Sequence, residues 1–269
     1  MKILAVIPSR YASTRFPGKP LALLGGKPIV QWAWEGVSVV KMIDDVIVAT
    51  DDQRIVDACT SFGAKVMLTS SEHRSGTDRC GEVARSLAAE GKHFDLVLNV
   101  QGDEPFVDAR QLELLLERFE NPNTCIATLK TRILTVADLQ SANNVKVVCN
   151  GVGKALYFSR QPIPFVRGVD AECWLERVDF FKHVGIYAFT SNALAQVCAL
   201  QPSTLEQSES LEQLRWLEAG IDIDVIETDR SNIGIDTEED LAHAQRLLQV
   251  AQDGGNGMGS IQTRKYDKI

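Results

Sequence analysis

The sequence predicts an α/β fold: a mostly parallel central sheet with helices on both faces, and an antiparallel insertion forming a smaller lobe. Short apolar runs such as Ile3-Leu4-Ala5-Val6-Ile7 recur through the first 130 residues, bounded by turn residues. Amphipathic stretches of helical period separate them. Apolar strands between amphipathic helices imply a parallel sheet covered on both faces. The insertion rests on Asn150-Gly151-Val152-Gly153, a hairpin signal between two strand-like runs.

In order, strands are expected at 3–7, 45–49, 65–68, 96–100 and 126–129, with helices at 28–40, 52–62, 77–90 and 109–119. In the helix from Thr77, Val83, Leu87 and Ala88 stand at helical spacing. Strands at 145–149, 155–158 and 183–189 form the insertion, about residues 144–190, interrupted by Pro162, Pro164 and Gly168. Helices at 192–200 and 205–218 follow, then a strand at 223–227 and a last helix after Asp236. Thr237 with Asp240 makes a capping-box pattern, and Leu241, Ala244, Leu247 and Leu248 give that helix an apolar stripe. Residues 1–252 read as a single domain. Residues 253–269 are glycine-rich and non-periodic, and read as a flexible tail.

Composition excludes several classes. A chain of 269 residues with 45% hydrophobic residues can bury a full core. A net charge of −8 argues against a general nucleic-acid binder, which needs a basic face, but not against a local nucleotide pocket. No apolar run approaches the roughly 18 residues of a membrane span, and the first run is too short for a signal peptide. The six cysteines form no C-x-x-C pair, so zinc spacing is absent. They read as reduced, mostly buried thiols in a cytoplasmic protein.

The loop after the first strand is the richest segment. Pro8, Pro17 and Pro20 bar a helix there. It carries Arg10, Arg15 and Lys19 with the hydroxyls of Ser9, Ser13 and Thr14. Several cations on one strand-end loop suit a triphosphate, because ligands in open α/β sheets collect at the carboxyl ends of strands. A solvated basic loop is the alternative.

Two carboxylates stand in comparable places. Asp103 follows the strand at 96–100 in Val100-Gln101-Gly102-Asp103-Glu104-Pro105, where it would serve a magnesium ion or merely a turn. Asp236 precedes the last helix, where the dipole favours an acid in any case. Ser75 and Gly76 open the helix near Thr77, suited either to ligand approach or to ordinary capping. His183 and Tyr187, four apart on one strand, face one side, as core packing or as a polar site. Glu212 and Gln213 lie between apolar helix positions, where a solvated face is the plain reading.

The strings resemble, in order, the CMP-Kdo synthetases (3-deoxy-manno-octulosonate cytidylyltransferases). They are R-Y-A-S-T-R-F-P-G-K-P-L from Arg10, V-A-T-D-D from Val48, S-G-T-D-R from Ser75, N-V-Q-G-D-E-P from Asn99, A-L-Y-F-S-R from Ala155, H-V-G-I-Y-A-F from His183, L-E-Q-L-R from Leu211 and G-I-D-T from Gly234. The blocks span roughly residues 2 to 250; residues 166–180 match poorly, and the tail lies outside.

The resemblance implies a nucleotide-diphospho-sugar transferase-like fold. It implies cytidylyl transfer from CTP to 3-deoxy-D-manno-octulosonate (Kdo), giving CMP-Kdo and pyrophosphate for lipopolysaccharide synthesis, with Mg2+ as cofactor. Arg10, Lys19, Asp103 and Asp236 would be catalytic, and Asp103 and Asp236 would hold the metal. Ser9, Arg10, Arg15, Lys19, Arg74, Ser75, Gly76 and Asp103 would bind the nucleotide. Gln101, Arg160, His183, Tyr187, Glu212 and Gln213 would bind the sugar, Arg160 facing its carboxylate. A cytoplasmic homodimer is expected, with no nucleic-acid or membrane partner. The rivals are a cytidylyltransferase for an amino-substituted Kdo analogue or another sugar acid, and a catalytically silent nucleotide-binding protein on the same fold.

Overall fold

The computed structural model describes residues 1–12, 16–230 and 234–253, with side chains to residue 250. Arg15 and the glycine-rich tail beyond residue 253 lie outside the described residues. In chain order the strands are β1 (Ile3–Pro8), β2 (Leu23–Leu24), β3 (Lys27–Pro28), β4 (Asp45–Thr50), β5 (Lys65–Leu68), β6 (Leu96–Asn99), β7 (Ile126–Arg132), β8 (Lys146–Cys149), β9 (Ala155–Ser159), β10 (Phe181–Thr190) and β11 (Asp224–Glu227). The α-helices are α1 (Ile29–Ser38), α2 (Gln53–Ser61), α3 (Gly76–Ala89), α4 (Ala109–Glu117), α5 (Val136–Gln140), α6 (Ser191–Cys198), α7 (Thr204–Glu209), α8 (Gln213–Glu218) and α9 (Glu238–Asp253). The chain divides into two compact units, Met1–Glu113 with Arg230–Ile269, and Leu114–Asp229.

The first unit is built on a parallel sheet in the order β6-β1-β4-β5. Val6 of β1 stands opposite Ile47 on one side and Asn99 on the other. Ile3 to Ile7 are buried throughout, as a strand covered on both faces must be. Helices α1, α2 and α3 pack on these strands. Because the four strands run the same way, the loops after β1, β5 and β6 all open toward one edge.

A second apolar cluster in this unit joins Leu24, Ile29, Trp32 and Phe106 to Ile235, Ala244 and Leu248. It docks α9 and, through Ile235, fixes the residue before Asp236. The predicted cap of α9 is present: Thr237 Oγ1 accepts from the Asp240 N–H at 3.1 Å, and Asp240 accepts from the Thr237 N–H at 2.9 Å.

In the second unit β7 pairs with β11 in parallel and with β10 antiparallel; β10 meets β8, and β8 pairs antiparallel with β9. The helix expected over 205–218 is instead two. Ser210 takes a left-handed conformation with φ 52 and ends α7. Ser203 and Glu206 form a capping box on α7, and Glu206 also accepts a forked pair from Arg215 of α8 at 2.8 and 2.6 Å. The β2–β3 hairpin and the short helix α5 add to the sequence reading; each is too short to show a period. Burial of the cysteines is also less than expected. Cys59 and Cys80 are buried, and Cys125 is exposed.

Leu248 tests the docking of α9. Leu248→Ala should lower unfolding free energy by about 2–4 kcal/mol in urea titration, because it empties part of a packed cluster. Val250→Ala, at a 51% exposed position of the same helix, should stay within about 0.5 kcal/mol of the parent. Equal effects would show that the cluster does not hold the helix.

Candidate active site

The strand-end loops of the first unit enclose a cavity of about 280 Å³. Ser9, Arg10, Lys19, Arg74, Ser75, Gly76, Gln101, Asp103 and Asp236 all line it. Of the expected residues in this unit, Arg15 alone falls outside the described positions. Each arrives by a simple route. Ser9 and Arg10 continue β1, with the Ser9 N–H donating to the Ala49 carbonyl at 2.8 Å. Gln101 to Asp103 follow β6, where the Gly102 N–H donates to the Pro8 carbonyl at 3.3 Å.

Lys19 sits at the centre. Gly18 precedes it with φ 72, which glycine adopts without strain. A Cβ there would also meet the Tyr11 ring at 3.0 Å. The turn drives the Lys19 side chain inward, where Nζ donates to Asp103 Oδ2 at 2.5 Å and to Asp236 Oδ1 at 3.0 Å. Asp236 reaches this point because the Ile235 N–H donates to the Asp103 carbonyl at 3.0 Å. Burial works to lower the Lys19 pKa, but the Asp103 and Asp236 carboxylates outweigh it and hold the ammonium above the ordinary lysine value. The Lys19 side chain is 10% exposed, against 32% for Asp103 and 48% for Asp236. The carboxylates thus keep faces open to a ligand.

Sequence left Asp236 as a metal ligand or a helix-start residue. The structure gives the capping duty to Thr237. Ser75 does cap α3, its hydroxyl accepting from the Asp78 N–H at 3.1 Å, and it lines the cavity as well. Gln101 donates to Asn99 Oδ1 at 3.0 Å, which fixes its amide beside Gly76.

Three contributors escaped the sequence reading. Gly102 lies so close to Ser9 that a Cβ would approach Oγ to 2.2 Å. His73 lines the cavity and is paired with Glu82 of α3. Arg79 is buried, with its guanidinium on Thr69 and on Asp51 at 3.1 Å. The signal for Arg79 was available: S-G-T-D-R opens α3 and V-A-T-D-D ends β4, and a buried arginine needs a partner such as Asp51.

The remaining expected residues belong to the second unit. His183 and Tyr187 meet with ring centroids 5.3 Å apart, and Phe158 stands edge-on to His183. Thr128 Oγ1 lies 2.9 Å from His183 Nε2 and donates to the Ile186 carbonyl at 2.8 Å. Burial, aided by nearby Lys182, depresses the His183 pKa to about 3, so the ring is neutral. Burial raises the Tyr187 pKa, with the Glu212 charge adding to it. Gln213 is buried; Glu212 is the residue before α8. The Arg160 guanidinium donates to the carbonyls of Glu209, Ala142 and Ser210 at 2.7, 3.0 and 3.4 Å.

The sheet and its strand-end cavity, with cations and a carboxylate pair in one place, are those of an α/β nucleotidyltransferase. The sequence profile of the cytidylyltransferase family matches residues 4–223. The 3-deoxy-manno-octulosonate cytidylyltransferase of Bacteroides thetaiotaomicron is 50% identical over 252 residues, covering 93% of this chain and 99% of the relative. That of Phocaeicola vulgatus is 48% identical, covering 93% and 98%. A solved CMP:2-keto-3-deoxy-manno-octonic acid synthetase complexed with CTP aligns with a TM-score of 0.85 at 40% identity, covering 94% of this chain and all of that one. The chain belongs to the 3-deoxy-manno-octulosonate cytidylyltransferase family.

The depressed His183 pKa sets a stability test. Between about pH 6.5 and pH 3 the unfolded chain binds a proton that the folded ring refuses, so stability falls as pH drops through that window. The residue keeps some exposure, so the slope should be at most about 1.4 kcal/mol per pH unit. Urea titrations from pH 7 to 4 should show a shallower loss for His183→Gln. Parallel curves for the two proteins would mean that His183 protonates freely in the folded state.

Proposed function

We propose that this chain transfers the cytidylyl group of CTP to the anomeric hydroxyl of Kdo, releasing pyrophosphate and activating the sugar for lipopolysaccharide synthesis. The carrying observation is the cavity in which Lys19 bridges Asp103 and Asp236 beside Arg10 and Arg74. Family membership supports the same reading. In the reaction the sugar oxygen bonds to the α-phosphorus and the bond from that phosphorus to the pyrophosphate oxygen breaks. Two anions must be brought together, so positioning and electrostatics supply most of the rate.

Arg10 and Lys19 are assigned to the phosphates. Ser9 and the Arg74–Gly76 segment are assigned to base and ribose, where the backbone at the start of α3 offers N–H donors. Gln101, Arg160, His183, Tyr187, Glu212 and Gln213 are assigned to the sugar acid. A neutral His183 can hydrogen-bond a sugar hydroxyl without adding charge. No protein nucleophile is needed.

The donor set fits magnesium. Both carboxylates reach a single ammonium, so they converge on a small region, and magnesium takes one or two carboxylates along with substrate phosphates. When bound, it would offset phosphate charge. Lys19 would then share its carboxylates with the ion and turn its ammonium toward phosphate. Among the described residues no helix is long and apolar enough to cross a membrane. A cytoplasmic homodimer completes the reading, supported by the resemblance.

Pyrophosphate release with CTP and magnesium, with and without Kdo, tests the function. Release that requires Kdo supports it; release indifferent to Kdo, or preferred use of ATP or GTP, rejects it. Lys19→Ala should fold and lose roughly 30- to 1000-fold in turnover, about 2–4 kcal/mol. Asp236→Asn should lose most turnover and need more magnesium for what remains. An unchanged magnesium curve would remove Asp236 from the metal site.

A further inference from the structure

The second unit contains a charged knot that the proposed chemistry does not use. Glu209, the last residue of α7, accepts from Ser159 Oγ at 2.6 Å and from the Arg160 N–H at 2.9 Å through its two carboxylate oxygens. Its own carbonyl accepts from Arg160 Nε at 2.7 Å. Lys146, fully buried in β8, donates to the Arg160 carbonyl and to the Ser141 carbonyl. Arg160 is therefore held from both sides, at its N–H, its carbonyl and its guanidinium.

Two features make this more than packing. The guanidinium partners are neutral carbonyls, so three of its five N–H donors are fixed with no carboxylate on the fork itself. Glu209 also abuts Ser210, whose left-handed turn ends α7 and leads through Leu211 to Glu212 and Gln213. One residue thus holds an anion-seeking arginine twice, its carboxylate on the arginine N–H and its carbonyl on Nε, next to the corner that presents two further polar groups.

We infer that Glu209 is a positioning residue for the sugar-acid subsite, setting its affinity through Arg160 and the 209–213 corner. The inference rests on the proposed Kdo reading. Electrostatics supports it from a second direction: burial and Arg160 lower the Lys146 pKa, and Glu209 opposes both, as the shared counter-charge of two cations. Removing that charge loosens Arg160 and leaves the cations unbalanced.

The test compares the full-length parent with Glu209→Gln by pyrophosphate release, varying Kdo at saturating CTP and CTP at saturating Kdo. The KM for Kdo should rise about 10-fold or more, as befits loss of charge-assisted bonds to the arginine backbone and the serine. The KM for CTP should stay within about twofold, since every residue assigned to CTP lies in the other unit. Glu209→Asp, which keeps the charge, should recover part of the loss. A folded Glu209→Gln protein with an unchanged KM for Kdo, or with both KM values raised alike, overturns the inference. If Glu209→Gln does not fold, Ser159→Ala carries the test: it deletes one bond to Glu209 and should raise the KM for Kdo alone, and no rise overturns the inference. A parent that does not use Kdo defeats the functional reading instead, so the two failures are distinct.

Discussion

The ammonium of Lys19 between Asp103 and Asp236 is the contact on which the rest of the first unit depends. Two carboxylates facing one another would repel, and a cation must hold them. Each member comes from a different part of the chain: the loop after β1, the loop after β6 and the lead into α9. The parallel sheet brings the first two together by sending its loops to one edge. The apolar cluster around Trp32 and Leu248 brings the third by docking α9. A partly buried ion pair of this kind adds little net stability, because desolvation offsets most of its attraction. Its value lies in geometry: it keeps two carboxylates poised at a strand-end cavity whose walls are otherwise cationic.

Much of this was legible in the sequence, for identifiable reasons. The apolar run 3–7 could only be a buried strand, and the prolines after it could only be a loop. Lys19, Asp103 and Asp236 could each be placed after a strand or before a helix from local pattern alone. Their meeting could not. It depends on an Ile235 to Asp103 backbone bond and on packing at long sequence separation, which no period reveals. Gly102 was invisible for a related reason: its role is the space that it leaves beside Ser9, and space has no signature. The break between α7 and α8 was missed because neither glycine nor proline marks it: residues 205–218 contain none, and the left-handed residue is Ser210. The competing capping box at Ser203 and Glu206 was present in the sequence, but its outcome was decided by the Arg215 fork.

The two units handle charge by different rules. In the first, cations and carboxylates line a cavity, and the Asp103 and Asp236 carboxylates keep exposed faces that a polyanion and a metal can reach. In the second, Lys146 and the Arg160 guanidinium are committed to backbone carbonyls, and His183 is kept neutral by burial. Pinning charged side chains to carbonyls fixes position without neutralising charge. Such a scaffold suits a ligand recognised by shape and by one carboxylate, whereas a cavity lined by ion pairs suits a triphosphate whose charge changes as pyrophosphate departs.

That division also explains why the break at Ser210 is tolerated. A left-handed serine costs roughly 1–2 kcal/mol relative to helix continuation. An unbroken helix from 204 to 218 would carry Glu212 and Gln213 on a regular spiral and would leave Arg160 without the Glu209 and Ser210 carbonyls, since an interior helix spends those on its own N–H groups. Ending α7 at Glu209 releases both carbonyls to the guanidinium. The strain at one residue is therefore coupled to the fixing of another, and the left-handed turn is best understood as part of the arginine's setting rather than as an isolated defect.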